Sequence, residues 1–312
     1  MNDKATSLVF GNYSLLVFLG AVWGASFVAI KYTNFMFNPF EVGFLRSLIA
    51  CIILFLAVKL RKGSTNLIGQ NTKRYSIVGL LNAAIPFTLI PYGLITLPSS
   101  IGVIIMSANP FLALVLAHFF TNDEKINLRK AIGSIIGFSG VVFAVGVQVF
   151  IDDQSALIGA LAIYIGSCSY VVSNLIIRTI SDLPSDMVTM NTLLWGSIWL
   201  FPLVAIFGNY FGLQIPLFVN DFEYAVNTKS IIAAIYLGII PTALAFSMRQ
   251  VLIRRAGSTF MMQVAYLIPI FGIFYGWLIL EETLRFSLLI GAVLVLVGIA
   301  ISRIRLNEET GT

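Results

Sequence analysis

A chain of 312 residues is long enough for two soluble domains, but 58% hydrophobic residues, only 11% charged ones and a mean hydropathy of +0.94 cannot furnish their surfaces. The apolar residues recur in runs long enough, as helix, to cross about 30 Å of hydrocarbon. This predicts an all-α integral membrane protein and excludes a barrel, whose short strands alternate in polarity.

In chain order, the N-terminal MNDKATSLVFGNYS has no basic leader, and the apolar run behind it is too long for a cleaved signal. Polar breaks then divide the chain into ten predicted spans, at 12–32, 41–60, 75–95, 99–120, 130–149, 157–178, 187–208, 229–253, 258–280 and 285–303. The first holds Trp23 and Ser26 and ends at Lys31, a position where lysine snorkels to the interface. The second carries Arg46, about a turn and a half beyond Glu41. Pairing with Glu41 or snorkelling would satisfy Arg46 structurally, and the functional alternative is an electrostatic anchor for a substrate carboxylate. Cys51 and Cys168 read as small packing residues, with neither a disulfide nor a metal site.

The third span holds Asn82, Pro86, Thr88, Pro91 and Tyr92, and the fourth Ser107, Asn109 and Pro110. His118, the single histidine, lies near the end of the fourth and reads as interfacial rather than as a proton relay. Polar groups return in the sixth span, with Tyr164, Ser167, Ser169, Tyr170, Ser173 and Asn174. They recur in the eighth (Pro241, Thr242, Ser247, Gln250) and the ninth (Gln263, Tyr266, Pro269). The fifth and tenth are aliphatic, with Gly133, Gly137 and Gly140 on one face and Gly291 and Gly298 repeating part of that spacing. Those faces, like Gly20–Gly24 and Gly272–Gly276, read as helix packing within or between chains. No Asp or Glu sits in mid-span, which weakens a membrane carboxylate as a proton carrier and leaves proton coupling open.

The net charge of +5 is explained by position. Arg61, Lys62, Lys73 and Arg74 follow the second span, and Lys125, Arg129 and Lys130 follow the fourth. Alternate connections near Leu97, Asp152–Asp153 and Asp221–Glu223 are almost bare of cations. The positive-inside rule then places the basic connections and both termini in the cytoplasm, and nucleic acid is not needed as a partner.

A shift of 158 residues pairs Ser100 with Ser258, Glu124 with Glu282, Gly133 with Gly291 and Gly140 with Gly298; one further residue brings Pro110 onto Pro269. The chain thus divides into two units, 1–150 and 151–312, of five spans each, and an odd count inverts the second. Buried polar side chains must be paired or hydrated, so their clustering marks spans one, three, four, six, eight and nine as the pathway and five and ten as peripheral. Trp23, Ser26, Arg46, Asn82, Tyr92, Asn109, Tyr170, Asn174, Gln263 and Tyr266 are the candidate substrate-binding residues. Pro86, Pro110, Pro241 and Pro269 are candidate gating residues, because proline frees a carbonyl and bends a helix.

WGASF in the first span, the stretch from Ser107-Ala108-Asn109-Pro110 through Glu124 to Gly133 and Gly140, and its copy Pro269…Glu282…Gly291…Gly298 resemble the EamA-type branch of the drug/metabolite transporter superfamily. The resemblance covers nearly the whole chain. It implies ten helices in two inverted repeats, a bacterial inner-membrane setting, no cofactor, and movement of small metabolites, often export of amino acids or related compounds. It also marks Glu124 and Glu282 as the family's glutamates and Pro110 and Pro269 as its kinking prolines. The counterpart of WGASF in the second half, GSCSY, lacks the tryptophan, so the halves have diverged. The expected function is alternating access by a monomer or weak homodimer, with an importer or drug-efflux carrier of the same fold as the alternative. A membrane-embedded enzyme would need catalytic groups, and the chain has no HExxH, no mid-span aspartate pair and no plausible serine–histidine pairing; a non-transporting assembly module is the other rival.

Overall fold

The computed structural model describes residues 3–60, 72–120, 126–146, 153–177, 185–208 and 227–303, and the elements among them are helical. In order they are α1 (Asp3–Thr33), α2 (Pro39–Leu60), α3 (Thr72–Gly79), α4 (Ile85–Thr96), α5 (Ser99–Met106), α6 (Asn109–Phe120) and α7 (Leu128–Val145). Then follow α8 (Gln154–Ile177), α9 (Ser185–Phe207), α10 (Thr228–Gly238), α11 (Ala245–Met261), α12 (Val264–Leu280) and α13 (Phe286–Arg303). Two π-helical turns, Leu80–Ala84 and Ile239–Leu244, join α3 to α4 and α10 to α11 inside continuous spans. Glu124, Asp152, Asp221–Glu223 and the cations Arg61, Lys62 and Lys125 lie outside the described residues.

Eight segments are long and apolar enough to cross a bilayer, and α12 and α13 are shorter apolar helices. At 1.5 Å per residue the 17 residues of α12 cover about 25 Å, less than a hydrocarbon core. Two predicted spans are interrupted. A turn at Ser107–Ala108 splits 99–120 into α5 and α6, and Pro110 is the second residue of α6, where its missing N–H would go unbonded anyway. The segment 258–280 is split as well: Gly257, with φ +86°, a conformation open to glycine, kinks α11 just before it, and a turn at Met262–Gln263 separates the last residues of α11 from α12. Pro269, by contrast, lies inside α12, so the two paired prolines occupy different helical positions.

The principal helix pairs each join one half of the chain to the other: α1 packs on α12, α2 on α9, α4 on α8 and α7 on α13. One hydrophobic cluster accordingly draws Phe27, Ile104 and Val145 together with Ile163, Leu237 and Val295. The glycine faces meet each other in the α7–α13 pair. A Cβ at Gly133 would stand 2.6 Å from the Gly298 carbonyl oxygen, and one at Gly140 would stand 2.7 Å from that of Gly291, so a side chain there would force the helices apart. Phe138, Ile165, Trp277 and Val297 point outward, a surface suited to lipid and costly in water.

Hydrogen bonds tie helix ends from distant parts of the chain together. Asn38 Nδ2 donates to the Phe207 carbonyl (2.6 Å), Ser230 Oγ to that of Tyr32 (2.6 Å) and Thr96 Oγ1 to that of Ser155 (3.4 Å). The Ser99 amide donates to Glu282 Oε1 (2.6 Å). With Asn34 Nδ2 donating to the Pro91 carbonyl (2.8 Å), these bonds bring the described ends of α1, α4, α8, α9, α10 and α12 to one end of the bundle.

Candidate functional site

The eighth predicted span carries the most heavily wired point of the interior. Pro241 lies within the π turn and has no N–H, so the Leu237 carbonyl loses its usual donor four residues on. Thr242 replaces it: its hydroxyl donates to Leu237 O at 2.7 Å and accepts from Arg46 Nε at 2.8 Å. The Arg46 guanidinium carbon stands 4.0 Å from the centroid of the Phe87 ring, a cation–π contact. Tyr170 meets Phe87 edge-on at 6.4 Å, and Tyr170 and Tyr236 lie within electrostatic reach of the same cation. From α1, Trp23 Nε1 donates to the Pro241 carbonyl at 3.0 Å, with its ring 6.4 Å from Phe246. Side chains from α1, α2, α4, α8 and the α10–α11 turn thus converge. Arg46 and Thr242 are buried, while Trp23, Tyr170, Tyr236 and Phe246 keep partial accessible surface.

The predicted partner of Arg46 is engaged elsewhere. Glu41 and Asn38 form a reciprocal cap on α2, with the Asn38 amide donating to Glu41 Oε2 (2.8 Å) and the Glu41 amide to Asn38 Oδ1 (3.0 Å), and Pro39 at the first helical position. The Glu41–Arg46 pair expected from spacing is therefore replaced by a cap and a Thr242 contact. Arg46 is 8% exposed, yet among the described residues no carboxylate pairs with it and its Nη groups make no hydrogen bond. A second arginine, Arg249 of α11, lies seven residues beyond Thr242, deep among surrounding atoms yet with some surface remaining. Arg249 was not among the residues singled out from the sequence. Its spacing from Thr242, two helical turns, was the available signal.

The first-half π turn is wired differently. Asn82, within it, donates through Nδ2 to Ser173 Oγ of α8 at 3.0 Å. Pro86 lies just past that turn, at the second residue of α4. Asn174, the neighbour of Ser173, is exposed and does not join this contact. Ser26 is buried but bonds back to its own helix at Val22 O (3.1 Å), leaving no donor for a ligand. Asn109 opens α6 with its Oδ1 enclosed and without a partner. Gln263 is exposed at the turn before α12, Tyr266 packs against the main cluster, and no hydrogen bond among the described residues ties Tyr92 to the Arg46 group. Three of the ten candidates, Trp23, Arg46 and Tyr170, thus meet in the central network, Asn82 pairs with Ser173, and Ser26, Tyr92, Asn109, Asn174 and Gln263 stand apart from it.

At the end where these helix ends meet, Glu282 caps α5. Its Oε1 accepts from the Ser99 amide (2.6 Å) and its Oε2 from the Ser100 amide (3.0 Å) and hydroxyl (2.6 Å), a carboxylate placed on a helix N-terminus. Lys31 adds its charge within reach of Glu282. Two grooves open away from the centre: one of about 460 Å³ beside Trp277 and Glu281–Leu284, and one of about 680 Å³ between Phe111, Phe138 and Tyr164. The second has an apolar lining typical of a lipid-facing crevice, and neither includes Arg46.

The EamA-like transporter family profile matches residues 12–146 and again residues 157–304. The "Uncharacterized transporter YoaV" of Bacillus subtilis (strain 168) is 24% identical over 280 residues, covering 89% of this chain and 91% of its own. A "Probable amino-acid metabolite efflux pump" of Escherichia coli (strain K12) is 22% identical over 298 residues, 94% of each. A solved crystal structure at 17% identity has the same fold, with a TM-score of 0.65 over 93% of this chain and 95% of the other.

Proposed function

The chain belongs to the EamA-like transporter family, and from that premise we propose that it moves small metabolites, amino acids or related compounds, outward across a bacterial inner membrane by alternating access. It is a multi-pass membrane transporter rather than an enzyme. Export and the amino-acid class follow the name of the Escherichia coli relative and are carried to this chain as a proposal.

The observation that carries the reading is the polar network Trp23–Pro241–Thr242–Arg46, which crosses from one half of the chain to the other at a helix irregularity. A buried contact of that kind is costly as mere scaffolding and useful at a hinge. The two π turns fall at equivalent places when the halves are shifted by one residue more than 158, which supports two inverted five-helix units, 1–150 and 151–312. The gathering of these helix ends at one end of the bundle supports ten crossings, α12 and α13 included, because each second crossing then returns to the same side. Lys59, Lys73, Arg74, Arg129, Lys130, Arg254 and Arg255 fall at the opposite ends of their helices, and this is the end we assign to the cytoplasm, with both termini.

Trp23, Asn82, Tyr170 and Tyr266 line the pathway in this reading, and Pro86, Pro110, Pro241 and Pro269 mark where the halves flex. The test is counterflow in proteoliposomes of purified protein loaded with a mixture of L-amino acids. Replacing Tyr170 by Ala or Trp23 by Phe should reduce flux on the order of tenfold, about 1.4 kcal/mol of barrier, with no loss of folded protein. Wild-type rates in both variants would overturn the cavity assignment.

A further inference from the structure

We propose that the centre of this carrier is built for a carboxylate: the substrate is a small molecule whose carboxylate seats on the Nη groups of Arg46, and Arg249 continues the same positive track along α11. The proposal rests on the transport reading above and names the substrate class of that same site.

The charge balance of the interior is the starting point. Among the described side chains the acidic groups are Glu41, Asp153, Glu281 and Glu282, all at helix ends. None of them pairs with either arginine. A buried guanidinium kept for architecture normally spends its five donors on acceptors of the protein, because an uncompensated charge in a low-dielectric interior is strongly destabilising. Arg46 spends one, Nε on Thr242. The remaining edge is the planar fork that matches a carboxylate with two parallel hydrogen bonds.

The fork is also held in place before any ligand arrives. Phe87 fixes the plane of the guanidinium from one face, and Thr242 fixes its Nε edge. Thr242 is itself locked by the carbonyl that Pro241 leaves free. Such preorganisation makes binding cheaper in entropy and ties the anchor to the irregular turn of the same span. Arg249 follows Thr242 by seven residues, about 10 Å along the axis, so a charge leaving Arg46 has a second cation further along the same span. A buried cation with no acid paired to it repels amines that lack an acid group, which supplies selectivity as well as affinity.

The test uses matched probes: L-phenylalanine, L-leucine and 3-phenylpropionate against phenylalaninamide, leucinamide and 3-phenylpropionamide, in proteoliposome counterflow and in thermal unfolding of the detergent-purified carrier. The acids should exchange and raise the unfolding temperature, and the amides should be weaker on the order of 100-fold, the loss expected when one partner of a buried charge pair is removed. R46Q should abolish both responses to the acids and R46K should retain a fraction. R249Q should slow flux while leaving the acid-induced thermal shift. Because Arg46 has no acid partner, R46M should unfold no earlier than the wild type without ligand; a lower unfolding temperature would make the arginine structural and overturn the assignment. Amides carried as well as acids, flux that survives R46Q, or acids that leave the unfolding temperature unmoved would each overturn the carboxylate site while transport stands. Absence of exchange with every probe would overturn the transport reading, and the carboxylate site with it.

Discussion

The two π turns have the same backbone irregularity and different chemistry. In the first half, Leu80–Ala84 presents a neutral amide, Asn82, to a neutral hydroxyl, Ser173, and its proline follows the turn. In the second half, Ile239–Leu244 contains its proline, and the freed carbonyl, the Thr242 hydroxyl and the Arg46 cation form one chain. The two turns share a backbone irregularity, and only the second is joined to a cation. A symmetric fold can open to either side, while a single charged turn gives the substrate one preferred seat between the halves.

The largest test of that contrast is Thr242→Val, which keeps the shape and removes the hydroxyl. It strands the Leu237 carbonyl and Arg46 Nε in the interior, so unfolding in detergent should show a loss of about 1–3 kcal/mol, and flux should fall with it. Thr242→Ser should recover both. If the valine variant matches the wild type in stability and flux, the chain of contacts through Thr242 holds nothing in place. Pro241→Ala should have a smaller and opposite effect on stability. Alanine restores an N–H that can reach Leu237 O directly, so the unfolding temperature should hold or rise while flux falls on the order of tenfold. Pro86→Ala should change flux less, since Pro86 lies outside its turn; equal effects from the two prolines would erase the distinction between the halves.

Much of the architecture is legible in the sequence because membrane spans depend on composition over some twenty residues, a signal that local detail hardly disturbs. The glycine face of α7 and its copy on α13 were readable as packing for the same reason: spacing alone puts Gly133 and Gly140 on one side. The central site was half readable. Arg46, Trp23 and Tyr170 stand out as costly residues in an apolar run, but their partners come from segments as much as 218 residues away. Nothing in spacing could indicate that Glu41 would fold back on Asn38 instead of reaching Arg46. A π turn also shifts the helical register by a residue, so faces counted at 3.6 residues per turn drift beyond it. Asn82 and Thr242 both lie within such turns. Glu282 was flagged by resemblance to the family, and its role as a cap on Ser99 and Ser100 needed the other half of the chain.

The smallest predicted effect sharpens the neutral side of the comparison. The Asn82–Ser173 bond joins two uncharged groups inside a helix bundle, where such bonds contribute about 0.6 kcal/mol on average. A double-mutant cycle of Asn82→Ala and Ser173→Ala, read by unfolding in detergent, should therefore give a coupling near that size. Ser173→Ala should keep most of the flux, because the Asn82 amide it leaves behind is partly exposed and can hydrate. A coupling of several kcal/mol, comparable to a charged contact, would make the first-half turn as consequential as the second. The site would then be two-sided, and substrate polarity would have to be sought at Asn82 as much as at Arg46.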